Sequence, residues 1–327
     1  MSSINATFIL PSSFYIIGLD NIPHAKYYYV FLCFVYAVTV LGNFFIMGTI
    51  YLARSLHTAK YIAVFNLALS DLCGSSALIP KLLDMFLFEN QYISYEACLA
   101  NMFFVYVFMT QQSLTLLAMA YDRLIAICFP LRYHAIVTKP AMTLIIGAMW
   151  ILSMSFTALM VVLVTRLLSF CRSTTVNSYF CDHAPVYKLA CNDNSMNSIM
   201  GYVCMAALLY IPLILIALSY VCIGFALQKI SQGVERIKAI KTCTSHVILV
   251  AMFYLPIIGI YTAGLTTSIN TNVRIINTAL TQAIPPMLNP IIYTLKTEEV
   301  LQSIKAIYKQ TKVNSSMEKA VKKTVRN

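Results

Sequence analysis

Seven stretches of the chain are long, apolar and nearly free of charge: Tyr27–Leu52, Tyr61–Leu83, Cys98–Tyr121, Ala141–Val164, Ile199–Leu227, Val247–Ile269 and Ile275–Leu295. Each reaches the about 20 residues that a helix needs to cross the hydrocarbon of a bilayer. Gly and Pro inside several of them argue against strands and are tolerated in membrane helices. The pattern predicts an all-α fold, a seven-transmembrane helix bundle over residues 27–295. An extracellular N-terminus, 1–26, precedes it, and a cytoplasmic tail, 296–327, follows. A short amphipathic eighth helix is predicted at the start of the tail. Val300, Leu301, Ile304 and Ile307 or Tyr308 fall at helical spacing toward the bilayer, with Lys305, Lys309 and Lys312 toward water.

Composition agrees: 59% of the 327 residues are hydrophobic and only 11% are charged, too apolar for a soluble domain of this size. Arg54, Lys60, Arg123, Arg132, Lys139, Lys229, Arg236, Lys238, Lys241 and every Lys and Arg from Lys296 onward fall on one side of the bundle. The other side holds Lys26, Lys81, Arg166, Arg172, Lys188 and Arg274. The richer side is expected in the cytoplasm, which makes this a multi-pass protein of the plasma membrane with its N-terminus outside. The net charge of +11 then calls for no nucleic acid. The basic tail, with Lys319, Lys322, Lys323 and Arg326, is suited to anionic membrane lipid instead. No cleavable signal peptide is visible in residues 1–26, so the first helix is expected to act as its own insertion signal. Asn5-Ala6-Thr7 is a glycosylation sequon on the expected outer face.

Polar residues inside the apolar stretches narrow the chemistry. Asn43 in the first helix is expensive in hydrocarbon without a partner, and the second helix offers one in Asp71. Cys98, Cys171, Cys181 and Cys191 share the outer side, where disulfides are allowed and three pairings are possible. Cys181 with His183, and Cys243 with His246, each lack the other half of a metal site, so no metal and no cofactor are expected. No His, Glu and Ser constellation points to an enzyme. One central acid and no repeated half speak against a transporter.

Several strings are specific in themselves. Met119-Ala120-Tyr121-Asp122-Arg123 is followed by Ile127-Cys128-Phe129-Pro130-Leu131-Arg132-Tyr133. Lys238-Ala239-Ile240-Lys241-Thr242-Cys243-Thr244-Ser245-His246 opens the sixth helix, and Pro286-Met287-Leu288-Asn289-Pro290-Ile291-Ile292-Tyr293 closes the seventh. Together they resemble the signature of odorant receptors, a branch of the rhodopsin-like G-protein-coupled receptors. The loop string Tyr179-Phe180-Cys181-Asp182-His183-Ala184 is similar to the branch common in aquatic vertebrates, associated with water-soluble odorants.

The resemblance implies a mechanism and a set of residues. A small organic ligand binds in the outer half of the bundle and a heterotrimeric G protein, with the olfactory stimulatory Gα, binds inside, so that cyclic AMP rises. Asp122, Arg123, Tyr220, Lys241, His246, Asn289, Pro290 and Tyr293 form the switch that couples to it, with Arg123 released toward Tyr220 and Tyr293. Asn43, Asp71, Gln112 and Asn289 form a polar cluster. Gln112 stands where the family usually has Glu; one carboxylate fewer counts against sodium at Asp71 but leaves the hydrogen-bonded cluster. The implied disulfides are Cys98–Cys181 and Cys171–Cys191. Matching positions give a ligand pocket of Val105, Tyr106, Met109, Thr110, Cys204, Leu208, Tyr254, Ile257, Ile258, Tyr261, Ala279 and Gln282. Val105 stands where amine receptors place Asp, and Ala283 where opsins place the retinal lysine. A rhodopsin-like receptor for another ligand class and a seven-helix transporter are the alternative readings.

Overall fold

The structure, a computed structural model, describes residues 9–19, 24–171, 173–229, 233–266 and 270–309. Asn5 and the tail beyond 309 lie outside the described residues. Seven long helices form the bundle: α1 (Ala25–Leu52), α2 (Ala59–Phe88), α3 (Tyr95–Cys128), α4 (Lys139–Leu167), α5 (Ser195–Lys229), α6 (Val234–Thr266) and α7 (Thr271–Lys296). Six of them contain an apolar window long enough to cross a membrane. The seventh is more polar because it carries Asn272, Arg274, Asn277, Gln282 and Asn289.

Local chemistry sets several ends. The hydroxyl of Ser94 accepts from the Ala97 N–H at 3.2 Å, and Glu96 in the first turn suits the positive end of α3. Thr138 caps α4 in the same way, with Pro140 in the first turn. Pro80, Pro256, Pro285, Pro286 and Pro290 sit inside helices, each removing one N–H from the ladder. In α5 the backbone widens into a π-turn over Ala206–Tyr210. Two helices run well beyond their predicted spans: α6 begins at Val234, thirteen residues before Val247, and α3 runs on to Cys128, so that Asp122 and Arg123 lie within the helix and not at its edge. Tyr133, bonded back to Asp122, helps hold that extra length.

Side chains cross-link the helices at mid-depth. Trp150 donates its indole N–H to Asn66 at 2.9 Å, and Asn66 donates to Thr115 at 2.8 Å, tying α4, α2 and α3. Trp150 therefore bonds as well as packs. Gly42 is needed for close approach, since a Cβ there would lie 3.1 Å from the Pro290 ring. Apolar side chains also cover the outside, with Phe34 63% and Leu144 75% exposed, as lipid contact requires.

A small sheet was not foreseen. β1 (Ser13–Ile16) lies between β2 (Tyr92–Ser94), to which it is antiparallel, and β3 (Thr175–Val176), to which it is parallel. Phe14 and Ile16 alternate with more open neighbours and are wholly buried, and the Phe14 ring meets Phe170 edge-on at 5.4 Å. Part of the segment expected to be a plain N-terminal arm is thus packed onto one end of the bundle.

At the opposite end, residues 298–309 form the short helix, α8. Its apolar face differs slightly from the predicted one. Val300, Ile304 and Ile307 pack against the bundle, while Leu301 and Tyr308 are exposed.

Candidate functional site

The polar centre is built around Asp71, which is 1% exposed on α2. Gln112 donates its amide to one carboxylate oxygen at 2.9 Å, and Asn289 donates to the other at 2.7 Å. Asn43 lies with Asp71, Asn289, Pro290 and Tyr293 around one narrow gap too small for water but bonds elsewhere. Its amide donates to the carbonyls of Thr39 at 2.9 Å and Pro286 at 3.0 Å, so the expected Asn43–Asp71 partnership is corrected. One turn of α1 and the proline-freed backbone of α7 take its two amide hydrogens, while its Oδ1 is buried with no partner among the described residues. Two amide hydrogens converge on the single carboxylate and occupy one acceptor site on each of its oxygens.

Along α3 toward α8 lies the Arg123 end. Asp122 is 2% exposed, its carboxylate 3.7 Å from the Arg123 guanidinium and accepting from the Tyr133 hydroxyl at 2.7 Å. Burial and the Asp122 charge push the Tyr133 phenol well above its ordinary pKa, so it remains a donor. Tyr220 and Tyr293 bond elsewhere: the Tyr220 hydroxyl is 2.7 Å from Nδ1 of His246, and the Tyr293 hydroxyl meets the Met119 sulfur at 3.3 Å. His246 Nε2 lies 3.1 Å from the Leu116 carbonyl, which can only accept. That nitrogen therefore carries the hydrogen, and Nδ1 of the neutral ring accepts from Tyr220. Lys241 on α6 pairs with Glu298 on α8 at 3.5 Å, and Lys60 on α2 with Glu299 at 2.9 Å.

The pocket positions gather at the other end. Val105, Thr110, Cys204, Leu208, Tyr254 and Ala279 are buried, and Tyr106, Met109, Ile257, Ile258 and Gln282 are partly so. The Tyr261 side chain lies outside the described residues. Tyr254 and Ser113 are joined at 2.7 Å, and the Ser113 hydroxyl donates to the Leu208 carbonyl in the π-turn at 2.8 Å. Above them, Tyr106 donates to the Asp182 carboxylate at 2.7 Å.

The loop that brings Asp182 there is stapled twice. Cys98 is bonded to Cys181, with Cα atoms 5.3 Å apart, and Cys171 to Cys191, at 5.9 Å. His183, two residues beyond Cys181, is 2% exposed under the loop. Burial pushes its pKa down to about 4, although Asn197 opposes the shift.

Sequence reasoning missed Ser113, Asp182 and Tyr133. Asp182 had a usable signal, since a disulfide to α3 carries its neighbour Cys181 to the mouth of the bundle. Ser113 had none, being one small residue in an apolar run.

Seven helices, a buried acid answered by amides at their centre, and a stapled loop over one end define a multi-pass membrane protein of the seven-helix receptor class. Comparison with known proteins specifies the class. The sequence profile of the olfactory receptor family matches residues 32–311. Olfactory receptor 1496 of Rattus norvegicus is 36% identical over 304 residues, covering 92% of this chain and 96% of that protein. Olfactory receptor 1E16 of Mus musculus is 35% identical over 321 residues, covering 97% and 100%. Olfactory receptor 51E2 of Rattus norvegicus is 34% identical over 311 residues, covering 94% and 96%. The chain belongs to the olfactory receptor family. Members of that family are G-protein-coupled receptors that bind odorants, and they are not enzymes.

Proposed function

We propose that this receptor sits in the plasma membrane with its N-terminus outside and binds a small, water-soluble organic odorant among the pocket residues of α3, α5, α6 and α7. Binding activates the olfactory stimulatory Gα at the Arg123 end and raises cyclic AMP. The observation that carries the reading is the course of α3. One continuous helix, Tyr95–Cys128, bears Tyr106 and Ser113 beside the pocket and Asp122–Arg123 at the far end. Ligand and G protein then favour the same minor conformer, and each raises the affinity for the other. Release of Arg123 from Asp122, with Tyr220 leaving His246 and Tyr293 leaving Met119, opens the G-protein side. Asn289 and Pro290 pass the change from the Asp71 cluster, and Lys241 must part from Glu298 as α6 moves.

The test is cyclic AMP in cells co-expressing the chain and the olfactory stimulatory Gα, challenged with pooled water-soluble odorants. A ligand-dependent rise is expected, with at least about a tenfold loss in Arg123→Ala at equal surface density, the scale of a lost charge-assisted contact. A rise that survives unchanged in Arg123→Ala would sink the proposed switch.

A further inference from the structure

The two bridges of the stapled loop differ in what can approach them. Cys98 and Cys181 are both 0% exposed, while Cys171 and Cys191 are both open to solvent. A thiolate breaks a disulfide only by direct attack on one of its sulfurs, so access decides which bridge can react. The closed loops differ too, with separations of 83 and 20 residues. Closing the shorter one removes less freedom from the unfolded chain, so less is lost when it opens.

The surroundings of Cys171 and Cys191 suit the open form as well as the closed one. Without the bridge, hydrogen bonds still keep the two strands side by side. The Cys191 N–H donates to the Ser169 carbonyl at 2.9 Å, the Ser169 N–H to Asn192 Oδ1 at 2.9 Å, and the Asn192 amide to the Leu167 carbonyl at 2.6 Å. Next to Cys171, Phe170 is buried and its N–H donates to the Ile9 carbonyl at 2.8 Å. The Ser169 carbonyl oxygen also lies 3.1 Å from Cys191 Sγ. In the disulfide that sulfur has no hydrogen to give; as a thiol it has one, with the acceptor already beside it. Cysteines held in this way can close again.

The bridge also joins two helix ends. Cys171 is four residues past Leu167, where α4 stops, and Cys191 is four before Ser195, where α5 starts. With the bridge open, these ends keep packing and single hydrogen bonds, such as that from Asn197 of α5 to the Leu163 carbonyl of α4 at 3.4 Å.

We infer that Cys171–Cys191 is a reversible exchange site for low-molecular-weight thiols in the fluid outside the cell, and that its opening loosens the first turns of α5 while Cys98–Cys181 stays closed. A small thiolate attacks one sulfur, the protein S–S bond breaks, and the second cysteine leaves as a thiolate that takes a proton from water. Another small thiolate then attacks the mixed disulfide, releasing the first cysteine and a small-molecule disulfide. Two electrons pass to the protein, and the same small-molecule disulfide takes them back by the reverse steps. The inference goes beyond the receptor reading and rests on it only for the orientation that sets this end outside.

The experiment places the full chain in lipid discs, which leave both faces open, and equilibrates it with mixtures of reduced and oxidised glutathione. Free thiols are then tagged with a charged maleimide and located by peptide mass spectrometry. Tagging at Cys171 and Cys191 is expected to exceed that at Cys98 and Cys181 by at least about tenfold, and to fall back when oxidised glutathione is restored. In hydrogen–deuterium exchange, the amides of Ser195–Met205 should exchange at least about threefold faster in the reduced chain. Cys171→Ser combined with Cys191→Ser, which keeps a donor beside the Ser169 carbonyl, should match the reduced chain and ignore glutathione. The unaltered chain, reduced and reoxidised, gives the answer without the variant if the variant fails to fold. Equal tagging of both bridges, no tagging at Cys171 and Cys191 before the receptor unfolds, or exchange in α5 that ignores reduction would overturn the inference. On intact cells whose plasma membrane is shown by imaging to hold the receptor, the same maleimide added outside should tag both cysteines after glutathione. Tagging in discs but not on such cells would overturn the outward orientation, and with it the extracellular source of the thiol, but not the exchange site.

Discussion

The two ends of this bundle are held by different kinds of bond. At the loop end, two disulfides, a three-stranded sheet and a buried layer around Phe14, Phe170 and Tyr179 fix the backbone. At the Arg123 end, the ties are single hydrogen bonds, such as Tyr220 to His246, and ion pairs, the Asp122–Arg123 pair buried and the Lys241–Glu298 pair open to water. Lys241 and Glu298 are 55% and 74% exposed. Covalent closure tolerates little movement, whereas exposed pairs can exchange for water at small cost. The contrast agrees with the roles proposed above, in which the stapled end holds the ligand and the Arg123 end moves.

Breaking the staple should have the largest effect. Cys98→Ser removes a bond that closes a separation of 83 residues, and a loss of about 2–5 kcal/mol is expected. Purified receptor in lipid discs should unfold at a clearly lower temperature, and surface delivery should fall sharply. Unchanged thermal stability would erase the distinction between the ends.

Acid tests the same end more gently. His183 is neutral when folded, with its pKa at about 4 against an ordinary 6.5. The unfolded chain therefore binds the extra proton first, and the stabilisation is complete above pH 6.5 and lost as pH falls toward 4. A shift of that size amounts to at most about 3 kcal/mol. The thermal midpoint should decline across that window, and His183→Gln should flatten the slope. An identical decline in the variant would place the acid sensitivity elsewhere.

The smallest effect belongs to Lys241 and Glu298. An exposed pair contributes under about 1 kcal/mol, so Lys241→Ala should raise basal cyclic AMP by no more than about fivefold. Lys241→Glu combined with Glu298→Lys should return it to the starting level. No change in either variant would show that the pair does not restrain α6.

The helices were legible because each long apolar run states its own length, and the motif strings placed Asp71, Arg123 and Asn289 on them. What the sequence did not disclose was register between helices. Asn43 and Pro286 are 243 positions apart, and nothing local says that one will donate to the other rather than to Asp71. The Asp182–Tyr106 bond depends on where a disulfide sets the loop, and Ser113 became meaningful only beside Tyr254 and the π-turn. The strand Ser13–Ile16 was short, and its partners are far along the chain, so its alternation of buried and open residues passed as an ordinary terminal segment.

That strand has a consequence for how the receptor is made. β1 is central in its sheet, yet the parallel partner of Ile16 is Val176, 160 residues later. At about 5–20 residues per second, a ribosome needs roughly 8–32 s to deliver it. For that interval Phe14 and Ile16 have no finished layer to enter, and the apolar face they later bury stays uncovered. A strand made early is thus among the last to find its place: while Phe14 and Ile16 are still accessible, the stretch that carries Val176 has not yet been laid beside them.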